Sequence, residues 1–342
     1  MLHIVLIPAY KPDNKMTDLA RSLFNQGMTV VIVNDGSGAP YNEIFERAEL
    51  FAHVVRCTRN GGKGAALKTG LAYISDHFAP PYTVTTADAD GQHAEEDILR
   101  VTRKAETRPD TLVIGSRTIN REMPMRNWSG NFFTKIAFLL ATGKLMQDTQ
   151  TGLRGFSDRL VPFMLAVHGR RYEYETSVLL HWARCNRPIE EVSVQTLYFD
   201  GNSNSHFHPV RDSLRIYGEI LKFSAPMLGC FFLDILIFCV LMALLPWDDR
   251  LIAANCAARV VTAALYFVLV RRSMAQYPNT KRLSAVRYAV SEAPLTALNT
   301  ALVWALMMGK LLPFGAKLLA NMAMFFSFLV LQRKFLYVNK RR

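Results

Sequence analysis

An α/β domain on a mostly parallel sheet, followed by an all-α membrane domain of four helices, is the architecture that this sequence predicts. Three observations carry that reading. Up to about residue 209, short runs rich in Val, Ile and Thr alternate with helical stretches, as in a sheet covered on both faces. From Phe223 onward the chain holds four long apolar runs. The charge is also lopsided. The 342 residues carry a formal net charge of +12, yet Phe223–Arg342 holds 14 Lys+Arg against 4 Asp+Glu, and the remainder 26 against 24. A basic excess confined to the apolar half points to a membrane and away from nucleic acid.

Composition narrows the class further. Half of the residues are hydrophobic and 20% are charged, with a mean hydropathy of +0.10. These values exclude a disordered tail, a collagen and a small disulfide scaffold, and they disfavour a wholly soluble enzyme. Cys57, Cys185, Cys230, Cys239 and Cys256 are odd in number and lack zinc-site spacing, so they are read as buried thiols of a reducing compartment. The apolar Met1–Ile7 stretch ends at Pro8 without a basic region or cleavage site, and is read as a strand and not as a signal peptide.

The expected strands are Leu2–Ile7, Thr29–Val33, Val54–Arg56, Tyr82–Thr86 and Thr111–Ile114, and the expected helices Asn14–Asn25, Lys63–Ser75 and Glu95–Glu106. Residues 223–245, 251–270, 285–308 and 311–331 are each long enough to cross a bilayer core of about 30 Å. Basic residues gather in Arg271–Ser284 and at the C-terminus, which the positive-inside rule assigns to the cytoplasm together with the N-terminal domain. Both termini are therefore expected to be cytoplasmic, in an integral protein of the plasma or inner membrane. Between the domains of residues 1–209 and 223–342, residues 210–222 carry Arg211, Arg215 and Lys222 among apolar residues, and are read as an amphipathic interfacial helix.

In a parallel α/β sheet, ligands bind beyond the carboxyl ends of the strands, so the residues after each strand are the ones to inspect. Asn34-Asp35-Gly36-Ser37 follows the second strand and Asp88-Ala89-Asp90-Gly91-Gln92 the fourth. Two carboxylates on one side of an extended turn are hard oxygen ligands suited to Mg²⁺ or Mn²⁺ on a diphosphate; a solvated acidic turn would read the same way. Asn60-Gly61-Gly62-Lys63-Gly64 opens a helix whose N-terminus favours anions, but it has neither P-loop nor dinucleotide-fingerprint spacing. Gly115-Ser116-Arg117 adds a guanidinium, with Arg126 beyond it, and residues 148–156 form a Gly-punctuated polar loop. No Ser/His/Asp or Cys–His arrangement stands out, and no basic patch interleaved with aromatics suggests nucleic acid.

Taken in order, Ile7-Pro8-Ala9-Tyr10, Asn34 to Ser37, Gly62 to Ala66, Asp88 to Gln92 and Asp148 to Phe156 resemble the family 2 glycosyltransferases, in particular the dolichyl- and polyprenyl-phosphate hexose synthases. The region from Phe223 is similar to GtrA-like four-span membrane domains. The resemblance implies a GT-A-like, Rossmann-like catalytic domain. It implies that Pro8, Tyr10 and Asp35 line the base and ribose of a nucleotide-sugar donor, with Lys63 nearby. Asp88, Ala89 and Asp90 would hold its diphosphate, with Asp88, Asp90 and Gln92 on the metal. Arg117 and Arg126 would sit on phosphate and Asp148 near the transferred sugar. Arg154, Glu175, Ser205, His206 and Arg211 would lie on the side of a polyprenyl phosphate acceptor. Lys11-Pro12 stands where the family commonly has Asn-Glu, and Asn34 where Asp is frequent, which bears on base preference.

The expected reaction is inverting transfer of a hexose from a UDP- or GDP-sugar to polyprenyl phosphate. A phosphate monoester already carries the needed charge near neutral pH, so no general base is required. The rivals are a processive polysaccharide synthase, disfavoured by the missing Gln-x-x-Arg-Trp motif, and a lipid-sugar translocase whose first domain senses nucleotide sugar. Homo-oligomerisation stays open. Within the apolar half, Asp234 and Arg259 lie at depths that let them pair, either as a structural ion pair that fixes helix packing or, with Glu292, as groups that handle a lipid phosphate or move the lipid-linked sugar.

Overall fold

The computed structural model describes residues 1–117, 145–195, 209–246, 250–275 and 284–336, together with Lys135, Phe138, Leu139 and Thr142. The chain divides into two compact units, the second beginning at Leu221.

In the first unit the strands are β1 (Leu2–Ala9), β2 (Thr29–Asn34), β3 (His53–Arg56), β4 (Tyr82–Thr86), β5 (Leu112–Arg117), β6 (Arg154–Ser157) and β7 (Ile189–Val194). They form one sheet in the order β3-β2-β1-β4-β6-β5-β7. Neighbours are parallel except that β6 runs antiparallel to both β4 and β5. The central strands read as continuous apolar runs because both faces are covered: Ile4 to Ile7 and Val30 to Val33 are essentially inaccessible. The covering helices are α1 (Asn14–Asn25), α2 (Asn42–Ala48), α3 (Lys63–His77), α4 (Glu95–Thr107), α5 (Val161–Ala166) and α6 (Glu173–Arg184). Asp13 caps α1 by accepting from the Lys15 amide. Gly70 lets α3 lie directly on the sheet, since a Cβ there would stand 2.3 Å from the Leu6 side chain.

Strand β7 and helices α2, α5 and α6 were not among the expected elements, and two further features depart from the sequence reading. The end of the polar loop, Arg154–Ser157, is strand β6, too short and too rich in Arg and Gly to announce itself. The expected interfacial helix is not a separate element: α7 runs unbroken from Pro209 to Leu244. The shift from amphipathic to apolar near Phe223 changes the helix surface but supplies no stop signal, and Pro226 interrupts only one backbone hydrogen bond.

The second unit continues with α8 (Arg250–Ala275), α9 (Ala285–Met308) and α10 (Pro313–Leu336). Its core includes Phe238, Met242, Ala254, Ala258, Val303, Ala316 and Ala320. By length and composition, α7 and α8 are long and apolar enough to cross a membrane. The buried set is unusual in being polar as well. Lys317, with no exposed side-chain surface, sits 2.7 Å from Asp234 Oδ2 and donates to Asn255 and Asn299. Asn321 donates to the same Asp234 oxygen at 2.8 Å. Lys317, which the sequence reading did not single out, is an ion partner of Asp234, and Arg259, expected to pair with it, lines the same cavity. Helical spacing put Asp234 and Arg259 at compatible depths but could not show which side chain of α10 faced Asp234.

Candidate functional site

The sheet order reverses at β1, which has β2 on one side and β4 on the other. Such a switch point opens a crevice at the carboxyl ends of the strands. A cavity of about 270 Å³ lies there, and Pro8, Tyr10, Asp35, Lys63, Asp88, Ala89 and Asp90 all line it. These seven expected residues come from the carboxyl ends of β1, β2 and β4, or the turns just after them, and from the start of α3. Tyr172 and Arg171 close the side next to α6.

The loops are stitched together by short side chains. Asp35 is buried, and its two carboxylate oxygens accept the Gly61 and Gly62 amides, each at 2.8 Å. Its observed work is to hold the glycine loop in place. Asn34 Oδ1 accepts from the Ser37 amide at 2.9 Å, and Ser37 Oγ accepts from the Lys11 amide at 2.9 Å. Gly36 has φ +67, and a Cβ there would fall 2.5 Å from the Arg59 backbone, so glycine is required for the second and third loops to meet.

Behind the acidic loop lies a chain of charges. Lys63 Nζ is 2.7 Å from Asp88 Oδ1 and 3.0 Å from Glu175 Oε2. His93 Nε2 lies 3.5 Å from the other Asp88 oxygen. Burial disfavours the charge on Lys63, but Asp88 and Glu175 outweigh it and its pKa is raised. Burial likewise opposes ionisation of Asp88, and Lys63 and His93 overcome it, holding that carboxyl well below the usual range. Asp90 moves the other way: burial and the neighbouring Asp88 charge raise its pKa, against the Gln92 amide that donates to Oδ1 at 3.0 Å. Two carboxylates are therefore held close with only one well compensated, an arrangement that a cation would relieve. Among the described residues no group of three His, Cys, Asp or Glu side chains could hold a metal ion by itself.

Arg117 and Asp148 meet in a two-pronged pair: Nε donates to Oδ2, and Nη2 donates to Oδ1 at 3.2 Å. Asp148 is completely buried, and its Oδ1 also accepts the Gln150 amide at 3.0 Å. Glu191 of β7 accepts the Gln147 and Asp148 amides at 2.8 and 3.3 Å. Arg154 is buried and donates to the backbone carbonyls of Glu175 and Thr151, at 2.7 and 3.2 Å. Gly152 abuts Asp88 so closely that a Cβ would fall 2.5 Å from Oδ2.

His93 and Gly152 stood inside motifs of the sequence reading without a role assigned to them, and Glu191, in an ordinary alternating strand, escaped it. Arg126, Ser205 and His206 lie outside the described residues. Arg211 is exposed near the start of α7 and does not line the cavity. Asp234 and Arg259 line a separate cavity of about 60 Å³ within the second unit, with Glu292 and Asn321.

Residues 4–165 match the model of the family described as glycosyl transferase family 2. The chain is 27% identical over 215 residues to a UDP-N-acetylglucosamine–dolichyl-phosphate N-acetylglucosaminyltransferase of Methanococcus voltae, covering 57% of this chain and 85% of the relative. It is 27% identical over 176 residues to an undecaprenyl-phosphate 4-deoxy-4-formamido-L-arabinose transferase of Salmonella choleraesuis (strain SC-B67), covering 48% of this chain and 52% of that relative. A crystal structure of a mycobacterial protein superposes with a TM-score of 0.50 at 16% identity, over 65% of this chain and 74% of the other, a likeness of fold. The family match covers just under half of the chain, from β1 to α5.

Proposed function

We propose that the chain is a membrane-anchored transferase that moves a hexose from a nucleoside-diphospho-sugar to the phosphate of a polyprenyl lipid. One observation carries the reading: a single cavity at the switch point gathers Pro8, Tyr10, Asp35, Lys63, Asp88 and Asp90. The names of the two relatives, both transferases acting on lipid phosphates, support the acceptor class.

Tyr10 and Pro8 offer apolar surface for a nucleoside, and the loop fixed by Asp35 shapes the end of the cavity beside them. Lys63 and the N-terminus of α3 supply positive charge for the diphosphate. Asp88 and Asp90 fit a hard divalent cation, Mg²⁺ or Mn²⁺. They provide two carboxylates held close, and such ions complete their coordination with Gln92, substrate phosphate oxygens and water. That cation would neutralise the charge developing on the departing nucleoside diphosphate. The lipid phosphate oxygen attacks the anomeric carbon as the bond to the diphosphate breaks, with inversion of configuration. Asp148, fixed by Arg117, and the buried Arg154 and Glu175 border the sugar side. Arg126, Ser205, His206 and Arg211 remain candidates for the phosphates and the acceptor.

The membrane reading rests on an inside-out distribution. In the second unit Asp234, Asn255, Asn299 and Lys317 are buried while Phe232, Leu236, Leu244, Trp304 and Met308 are exposed. Apolar surface turned outward around a polar interior suits a lipid surround better than water. We place α7 to α10 across the plasma or inner membrane as a GtrA-like unit, with both termini cytoplasmic.

The test is to incubate membranes containing the protein with polyprenyl phosphate, Mg²⁺ or Mn²⁺ and a panel of UDP- and GDP-sugars. The readout is an acid-labile lipid-linked sugar, and the control is Asp90→Ala. Product from one donor, lost in the variant, is expected and identifies the sugar. Absence of product from every donor, with folded protein and bound lipid, overturns the assignment in favour of a translocase.

A further inference from the structure

Lys63 is held unlike an ordinary phosphate-binding lysine. Its backbone is fixed: Gly62 and Gly64 leave no room for a Cβ against Arg170, Arg171 and Tyr174, and the Ala65 amide donates to the Arg170 carbonyl at 2.8 Å. Only the four-carbon stem can move. Its ammonium lies between two carboxylates, 2.7 Å from Asp88 Oδ1 and 3.0 Å from Glu175 Oε2. Glu175 is itself buried, 6% exposed, and its second oxygen, Oε1, has no hydrogen-bond partner among the described residues. Glu175 therefore has spare capacity to take the ammonium entirely. Asp88 has little freedom to move away, because Gly152 packs against its carboxylate.

We infer that Lys63 is a tethered counter-ion that pairs with Asp88 and yields it when a nucleoside diphosphate arrives, so that divalent cation and nucleotide bind with positive coupling. The inference rests on the reading of Asp88 and Asp90 as the cation site. With nothing bound, the ammonium neutralises one of the two carboxylates that the cation needs, and repels the cation at short range. A diphosphate offers the ammonium new partners, and Glu175 keeps it from swinging back. Asp88 then joins Asp90 as a full charge. By linkage, each ligand tightens the other by the same factor. The device keeps the site from holding a cation without a donor.

The experiment uses full-length protein in detergent micelles, Mn²⁺ as the probe and the free-Mn²⁺ electron paramagnetic resonance signal as the readout, with and without UDP or GDP. Wild type is expected to bind Mn²⁺ weakly alone and about tenfold more tightly with the matching nucleotide. Lys63→Met keeps the stem and removes the charge. It should bind Mn²⁺ alone about tenfold more tightly than wild type, and lose most of the nucleotide dependence. Glu175→Gln should act oppositely, weakening Mn²⁺ binding further by leaving the ammonium to Asp88 alone. Lys63→Met binding Mn²⁺ alone no more tightly than wild type overturns the inference while the cation site stands. If wild type and Asp90→Asn bind Mn²⁺ equally poorly at every nucleotide concentration, the cation-site reading falls, and this inference with it.

Discussion

Replacing Arg117 should damage the protein more than replacing its partner, because the two ends of the pair are buried unequally. Asp148 has no exposed side-chain surface, whereas Arg117 retains 23%. Arg117→Met strands a carboxylate in the interior, a change that costs about 3–5 kcal/mol when a buried charge loses its partner. Asp148→Asn keeps an oxygen for the Gln150 amide and leaves a guanidinium that can reach water. Its cost should be nearer to that of a lost hydrogen bond, about 1–2 kcal/mol. At about 2–4 °C per kcal/mol for a unit of this size, the melting temperature should fall by about 10 °C in Arg117→Met and about 4 °C in Asp148→Asn. The measurement is a thermal melt of full-length protein in one detergent, followed by intrinsic fluorescence and read as apparent midpoints, since two units need not unfold together. Equal midpoints for the two variants would refute the reasoning. An undisturbed midpoint in Arg117→Met with weakened donor binding would return Arg117 to the phosphate role that its motif suggests.

Gly152→Ala should push the Asp88 carboxylate out of place, because the new methyl would stand 2.5 Å from Oδ2. A displacement near 1 Å should lower kcat/KM for lipid-linked sugar formation about a hundredfold, with a smaller loss of melting temperature than in Arg117→Met. In the second unit, Lys317→Met alone and Asp234→Asn alone should each lower the midpoint, and the double variant should melt above Lys317→Met, because no charge is left unpaired; thermal melts in detergent check the order. Burial, with Arg184 and His168 adding to it, lowers the pKa of His181 to about 3. The ring stays neutral in the fold, while the unfolded chain takes up a proton below about pH 6.5. Stability is therefore lost as pH falls through that window, by about 2 kcal/mol at pH 5. In melts from pH 7.5 to pH 5, His181→Gln should lose less than wild type.

How much of this was legible in the sequence differs between elements for physical reasons. Tyr82–Thr86, Asn14–Asn25 and Ala285–Met308 are found at the bounds that their residue patterns suggest. A buried β-rich run, a capped amphipathic helix and a long apolar stretch are signals that neighbouring residues carry by themselves. Strand β6 was hidden because its four residues, Arg154 to Ser157, make sense only between β4 and β5. At the site, topology plus residue type brought Lys63, Asp88 and Asp90 to one cavity, since loops after parallel strands converge. The links of Lys63 to Glu175 and Arg117 to Asp148 were not legible, because which distant charge faces which is settled by packing between α3, α6 and the sheet. The same holds for Lys317, whose position on α10 reads as an ordinary interruption of an apolar run.

The reversed strand β6 has a consequence for how such a protein can diversify. Strand β5 ends at Arg117 on the rim where β4 also ends, and β6, running the other way, begins at that same rim with Arg154. The chain thus leaves the sheet after Arg117 and re-enters it at Arg154 on the same rim. Changes between Arg117 and Asp148 leave the pairing of β4 with β6 in register, whereas Asp148 and Gly152 are tied to Arg117 and to the Asp88 loop. A descendant could vary the chain between those two points while keeping the cavity at the switch point unchanged.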